Sequence, residues 1–546
     1  MSLRNAIRRA VIATSEVRGL GFIYRWIYER SASAFARALR RAADERVLGV
    51  YLRRGLAGKE WRPGVSDIDI LAVLDRSVLD AGGVVLGRIW RLVRRFRHYC
   101  PLLGEVQLTT SPDAEFFARA AGGRSGEISS WRRLGDGGAG LALAAPGDVG
   151  PSGRLREAAQ AYLELCKTCL DATTAAPLEP DFGFKIYKHT MDVFRFCRTR
   201  AAGGTMSRSE MSRDLASALP DVEREALGSP SSMREAQALL FLRRALLEIE
   251  RVSGFLSDET KGGGALAMPP SSVPATSAYG ARVWRRRLLR LDQSGIPAGT
   301  YFCADGFQGW LIVLPEAPTL EAFHASWERM RRWRRGDNAF AGPGFLVTRR
   351  FVDRLGFGLF AGTPFSRLAF PVAEAPEAVS VTGYSRSPLW AERYRIVKSG
   401  GELPENQPGA EALKIWMRQA AADFAVSWLM PWDAWDEAPG RNSGKLFGIM
   451  SRLLGIRLFL ELGRLVDPAD IDAIRGIARD AFPSLGPHLA RIEGELLGLS
   501  ESRLNALPPL QAFEICRPLV EETLAAIRRN DGAAVLSCSL GSGPGS

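Results

Sequence analysis

The alternation of two periodicities along the chain constrains its fold more than any other feature, because each periodicity admits one kind of element. Up to about residue 150, an Arg-rich helical pattern gives way to the strand-like runs VLGVYLRR (47–54) and DIDILAVL (67–74). A helix ending in WRLVRRFRHY (90–99) and a third strand-like run, GEVQLTT (104–110), follow. From 152 to about 258 the apolar residues recur at three and four, as in GFKIYKHTMDVFRFCRTR and REAQALLFLRRALLEIERV, which reads as a helical bundle. Residues 281–398 return to strand runs, GWLIVLP and GPGFLVTRRF, around the helix-like LEAFHASWERMRRWRR, and after Gly409 the pattern is helical to about Asn530. Gly/Pro/Ser-rich stretches at 135–153, 261–280, 399–409 and 531–546 mark the breaks. The reading is an α+β chain with an α/β domain at 1–150, a helical domain at 151–265, a second α/β domain at 266–400, a helical domain at 401–533 and a flexible tail at 534–546.

This order invites a search for a repeat. Sliding 66–125 by 240 onto 306–365 without a gap gives eleven identities: Leu71, Val73, Leu74, Arg91, Arg94, Arg95, Gly104, Asp113, Phe117, Ala121 and Gly122. A chain of this composition yields roughly four or five by chance. Each half also shows a strand, a basic Trp-containing helix, a Gly-led strand and then helices, so a tandem α/β-plus-helical repeat is expected.

Composition excludes several classes. At 46% hydrophobic and 24% charged the chain is neither fibrous nor disordered. No run approaches the ~18 apolar residues of a membrane span, and the most apolar stretch, 424–432, is broken by Ser427 and Pro431. The start lacks a signal-peptide apolar core and cleavage site, so no membrane span and a cytoplasmic location are expected. The balance 72 − 60 = +12 favours polyanions, nucleic acid among them, but Arg, Ala and Gly are abundant throughout and the charge names no partner. Seven cysteines are too sparse for a disulfide framework. Cys166 and Cys169, three apart in a helical pattern, read as core thiols or as a redox or metal pair, without a second Cys/His pair to complete a zinc site. The basic stretches Trp284–Arg287 and Arg331–Arg335 read either as phosphate-binding and stacking surfaces or as helices with arginines outward. Walker, H-E-x-x-H, G-x-S-x-G and strand-following G-x-G-x-x-G motifs are absent.

The segment carrying chemistry is Gly64-Val-Ser-Asp-Ile-Asp-Ile-Leu71, where Asp67 and Asp69 are two apart at the start of an apolar strand and so share a face. Paired carboxylates repel unless a cation lies between them, and Mg²⁺, which takes one or two carboxylates and completes its shell with waters and phosphate oxygens, suits that place. Glu105, alternating with Gln107 in the next strand-like run, supplies a third acid, and two Mg²⁺ ions could then hold an attacking oxygen and a triphosphate. The same segment also reads as a turn in which Ser66 and Asp67 cap backbone N–H groups and Asp69 is merely exposed.

Residues 50–108 resemble the nucleotidyltransferase (polymerase-β-like) superfamily, whose pattern is a Gly-Ser turn, Ser-Asp-hydrophobic-Asp at a strand start, and a further acid. The resemblance implies a nucleotidyltransferase-like mixed sheet with helices, metal-binding and catalytic roles for Asp67, Asp69 and Glu105, and an NTP substrate. It departs at Arg54-Gly-Leu-Ala57, which puts Arg54 in the glycine slot and Gly55 in the serine slot, or, shifted by one residue, Leu56 in the serine slot, so in either alignment the phosphate-touching hydroxyl is missing. Arg54, Gly55 and Ser66 then form the nucleotide-binding turn. A helical region following such a domain commonly completes the nucleotide site, which brings in Lys185 or Lys188, with Arg195 and His189 on similar footing; each also reads as an ordinary residue of an amphipathic helix. In the second copy Asp67, Asp69 and Glu105 fall on Phe307, Gly309 and Phe345, so that copy is expected to be degenerate. The expected function is Mg²⁺-dependent transfer of an NMP group to an unidentified oxygen acceptor. The alternatives are a nucleotide- or nucleic-acid-binding pseudoenzyme and an RNA nucleotide-adding enzyme.

Overall fold

The computed structural model describes residues 3–120, 131–135, 150–174, 181–198, 206–253, 300–303, 309–336, 344–351, 370–371, 410–430 and 445–540, short gaps within these ranges excepted. The breaks at 261–280 and 399–409, the stretch Trp284–Arg287, Phe307 and the last six residues lie outside the described residues. The protein is α+β and divides into two compact units, Met1–Gly147 with Lys414–Ser546, and Asp148–Leu413.

In the first unit the strands β1 (Val47–Arg53), β2 (Ile68–Leu74), β3 (Leu103–Thr110) and β4 (Arg132–Arg133) form a sheet of order β3-β2-β1-β4. β1 runs antiparallel to β2 and β4, whereas β2 and β3 are parallel. A parallel pair needs a crossover, supplied by the helix Val84–Tyr99, which buries Leu86, Ile89, Trp90 and Val93 at helical spacing. Ile70 to Leu74 are all fully buried, which is why this strand reads as a continuous apolar run. The helix Leu20–Ala42 buries Tyr28, Ala32, Phe35, Ala36 and Leu39 along one stripe.

The C-terminal helices complete this unit's core. Trp90 Nε1 donates to the Leu429 carbonyl at 2.8 Å, and Phe513 meets both Trp90 edge-on and Trp428 in a stack. Leu510 occupies the space that Gly83 and Gly87 leave open: a Cβ on Gly83 would lie 2.1 Å from Leu510 Cδ2, and Gly83 has φ +71°, a conformation glycine tolerates. Asp113, buried, accepts from Thr110 Oγ1 at 3.0 Å and Trp428 Nε1 at 3.3 Å and pairs with Arg528 from the last helix, Pro509–Leu540.

The second unit holds β5 (Thr300–Cys303), β6 (Gly309–Leu314), β7 (Gly344–Thr348) and β8 (Phe370–Pro371), in the order β7-β6-β5-β8. β5 is antiparallel to β6 and β8, and β6 is parallel to β7 across the helix Leu320–Gly336. Strand order and every strand sense therefore match those of the first sheet. The register differs by two residues. Leu71 opposes Gln107 (107 − 71 = 36), while Leu311 opposes Phe345 (345 − 311 = 34). With β2 set on β6, Phe345 takes the place of Gln107 and the place of Glu105 falls on position 343, outside the described residues, rather than on 345. A two-residue slip keeps every side chain on its own face, so the ungapped comparison of the sequences could not reveal it.

Helices Gly150–Thr174, Phe182–Arg198 and Glu235–Ser253 share one hydrophobic core with this second sheet. The Tyr162 hydroxyl donates to the Leu346 carbonyl, and Ala317 N donates to Glu250 Oε2 at 3.2 Å. Cys166 and Cys169 lie in that core, where burial pushes both thiols up, Cys166 to about 12. Arg331 pairs with Glu235 at 2.7 Å and Glu328 at 2.9 Å. Among the described residues no helix is long and apolar enough to cross a membrane.

Candidate functional site

The acids gather where β2 begins. Arg53, the last residue of β1, opposes Asp69 in the antiparallel pair, and Leu71 opposes Gln107 in the parallel pair, so Asp69 and Glu105, each two residues earlier, share one face of neighbouring strands. The Glu105 N–H donates to Asp69 Oδ1 at 2.9 Å, across the register irregularity between Ile68 and Ile70. Gly104 makes this approach possible: a Cβ there would lie 2.6 Å from both Asp67 Cβ and Asp69 Oδ1. Asp67 and Asp69 thus flank one glycine, and Glu105 follows it directly.

Arginines meet these acids from the end of β1. Arg54 has φ +55°, the left-handed region that glycine favours. Its Nη2 lies 3.1 Å from Glu105 Oε2 and its Nη1 3.8 Å from Asp69 Oδ2, so the guanidinium stands between the two carboxylates. Arg53, almost fully buried, donates to Gln107 Oε1 and lies over the Trp131 ring at 5.4 Å, while Gln107 Nε2 donates to Glu105 Oε1 at 2.7 Å. Burial pushes the Asp69 carboxyl up from its ordinary 3.8, with the Asp67 and Glu105 charges acting the same way and Arg54 and the Glu105 N–H opposing them.

Gly55 and Ser66 face each other across the turn between β1 and β2, since a Cβ on Gly55 would lie 3.0 Å from Ser66 Oγ. Ser66 Oγ accepts from the Arg62 N–H at 3.1 Å, and Gly64, φ +74°, donates its N–H to the Tyr28 hydroxyl at 3.1 Å. Lys185 and Lys188 belong to the other unit, on the helix Phe182–Arg198, where Lys185 pairs with Asp181 at 3.0 Å. Arg195 joins Arg208 on the buried Asp192. Burial, then the charge of Lys188, push the His189 imidazole down to about 3, so it is neutral at physiological pH.

Sequence reading placed Gln107 beside Glu105 but gave no role to it, to Arg53 or to Gly104. The signal was present for Gly104, a glycine immediately before the third acid, and absent for Arg53, whose burial depends on Trp131 far along the chain.

An all-oxygen carboxylate set is the donor chemistry Mg²⁺ takes. Here each oxygen of Asp69 and Glu105 already meets a protein partner, and among the described residues no three acids, histidines or cysteines are drawn together as a cation site. The donors fit the ion in kind, and Arg54 supplies positive charge between two of them. Comparison of the chain with protein-family models, curated proteins and solved structures found no match.

Proposed function

We propose that Asp67, Asp69 and Glu105 form the acidic centre of a nucleotidyltransferase-type domain that moves an NMP group from an NTP to an oxygen acceptor. The observation supporting this is that Asp67 and Asp69 flank Gly104 and that the N–H of Glu105, the next residue, reaches Asp69 Oδ1. In the reaction the acceptor oxygen bonds to the α-phosphorus, the bond to the bridging oxygen breaks, and pyrophosphate leaves. Asp67 and Asp69 would hold the divalent ions, and Glu105 would hold a cation and take the acceptor's proton. Bound Mg²⁺ supplies charge stabilisation to the phosphoryl oxygens. Gly55 and Ser66 shape the turn, and Arg54, drawn off the acids, places its charge on the triphosphate. The matching strand order of the second sheet supports reading that sheet as a copy of the first, with Gly309 in the place of Asp69.

A second reading rests on Arg54 itself. A guanidinium between Asp69 and Glu105 neutralises the charge that would otherwise recruit metal, which favours a nucleotide-binding domain without catalysis. The test is incubation of the full chain with labelled NTP, Mg²⁺ and cell extract, followed by a search for molecules heavier by one NMP. Transfer that falls at least about a hundredfold in Asp69→Asn supports catalysis. Full activity in Asp67→Asn and Asp69→Asn refutes the site, and Mg²⁺-independent NTP binding without pyrophosphate release supports the second reading.

A further inference from the structure

The helix Leu20–Ala42 buries one side in the first unit's core and leaves a second stripe in solvent. On that stripe Phe22 is 76% exposed, Ile23 48%, Trp26 53% and Ile27 37%. The spacing i, i+1, i+4, i+5 puts them on one face of two successive turns. The exposed Arg30, Arg37 and Arg41 continue the same face toward the helix end, and the Arg30 guanidinium lies 5.5 Å from the Trp26 ring centroid. The helix has one acid, Glu29, which Arg25 holds at 3.2 Å and Arg132 at 3.1 Å.

We propose that this face binds anionic lipid bilayers, the aromatic and isoleucine side chains seating at the headgroup–acyl boundary and the arginines meeting lipid phosphates. Charge complementarity selects that occupant. Residues 1–42 carry nine arginines and two glutamates, 9 − 2 = +7 of the chain's +12, so one short segment holds more than half of the surplus. The exposed stripe offers bulky apolar groups and cations but no carboxylate for a complementary protein surface to register against, which is the composition of an interfacial helix. The attachment is adsorption to the surface, independent of the acidic site.

The test is flotation of the full-length protein with vesicles of phosphatidylcholine alone or mixed with phosphatidylglycerol. Binding to the mixed vesicles only, lost in high salt, is expected. Phe22→Ser/Trp26→Ser should abolish flotation, and Arg37→Gln/Arg41→Gln should weaken it about fivefold per arginine removed. Both variants change exposed residues, and unaltered thermal melting shows that each remains folded. Wild-type protein that stays unbound, or variants that float equally well, would overturn the proposal. So would light scattering that shows a dimer broken by Phe22→Ser/Trp26→Ser, since a second copy would then cover the face.

Discussion

Replacing Arg54 by glycine tests the acidic centre most directly, because two opposing effects on folding nearly cancel while the effect on cation binding does not. Residue 54 sits at φ +55°, and a side chain there costs about 1 kcal/mol that glycine recovers. Against this stands the loss of the contacts to Glu105 and Asp69, at 3.1 and 3.8 Å. The Arg54 side chain is 45% exposed and that of Glu105 37%, so solvent screening limits this contact to about 0–1 kcal/mol, and Asp69, though only 14% exposed, lies 3.8 Å from the same half-exposed guanidinium and adds about as little. Folding stability should therefore change by no more than about 1 kcal/mol. Cation binding gains without such an offset. A guanidinium at about 4 Å repels each unit of positive charge by about 1 kcal/mol even at the dielectric of water, hence about 2 kcal/mol for a divalent ion, or roughly thirtyfold in affinity. Titrating Mn²⁺ against the free-ion paramagnetic resonance signal should show binding to Arg54→Gly at least about tenfold tighter than to the unaltered protein. Adding Asp69→Asn should remove the gain. Equal or weaker Mn²⁺ binding by a variant with unchanged melting would show that the guanidinium does not compete for the place of a cation.

The remaining predictions concern the cores. Arg528→Met leaves the buried Asp113 without its cation, against a burial that already pushes that carboxyl up, and urea unfolding should show a loss of about 3 kcal/mol. Part of that loss should return in Asp113→Asn/Arg528→Met, whose neutral amide keeps the bonds from Thr110 and Trp428, and a cost below about 1 kcal/mol would refute the assignment. His189 has its pKa lowered from 6.5 to about 3, so below 6.5 the unfolded chain binds a proton that the fold refuses. Its contribution is complete above pH 6.5 and is lost as pH falls toward 3; His189→Gln should flatten the acid limb by up to about 1.4 kcal/mol per pH unit, and an unchanged limb would show that His189 protonates freely in the fold.

The strands of the acidic centre were legible because their signals are local. DIDILAVL and GEVQLTT carry their own periodicity, and alternation alone puts Asp69 with Glu105 on faces that a parallel pairing brings together. Arg54 was legible only as a departure from a glycine. Its left-handed backbone and its reach to two carboxylates depend on where β1 ends relative to β2 and β3, which no short pattern encodes. The two-residue difference in register between the sheets was hidden for the opposite reason, since it changes no face and hence no pattern.

Helical segments show the division most clearly. An amphipathic helix announces that it has an apolar stripe, not which surface covers it. The sequence by itself determined β1, β2, β3, β6 and β7, the helical runs between them and the acids at the start of β2, whereas β4, β5 and β8 carried no pattern of their own. Only the tertiary structure decided that the described residues between 414 and 540 close the core around β1–β4 while the helices from 150 to 253 close the core around β5–β8. That choice lies in non-local fit, such as Leu510 in the space at Gly83 and Gly87 or Trp428 donating to Asp113, and it joins residues hundreds of positions apart that carry no mark of one another in the chain.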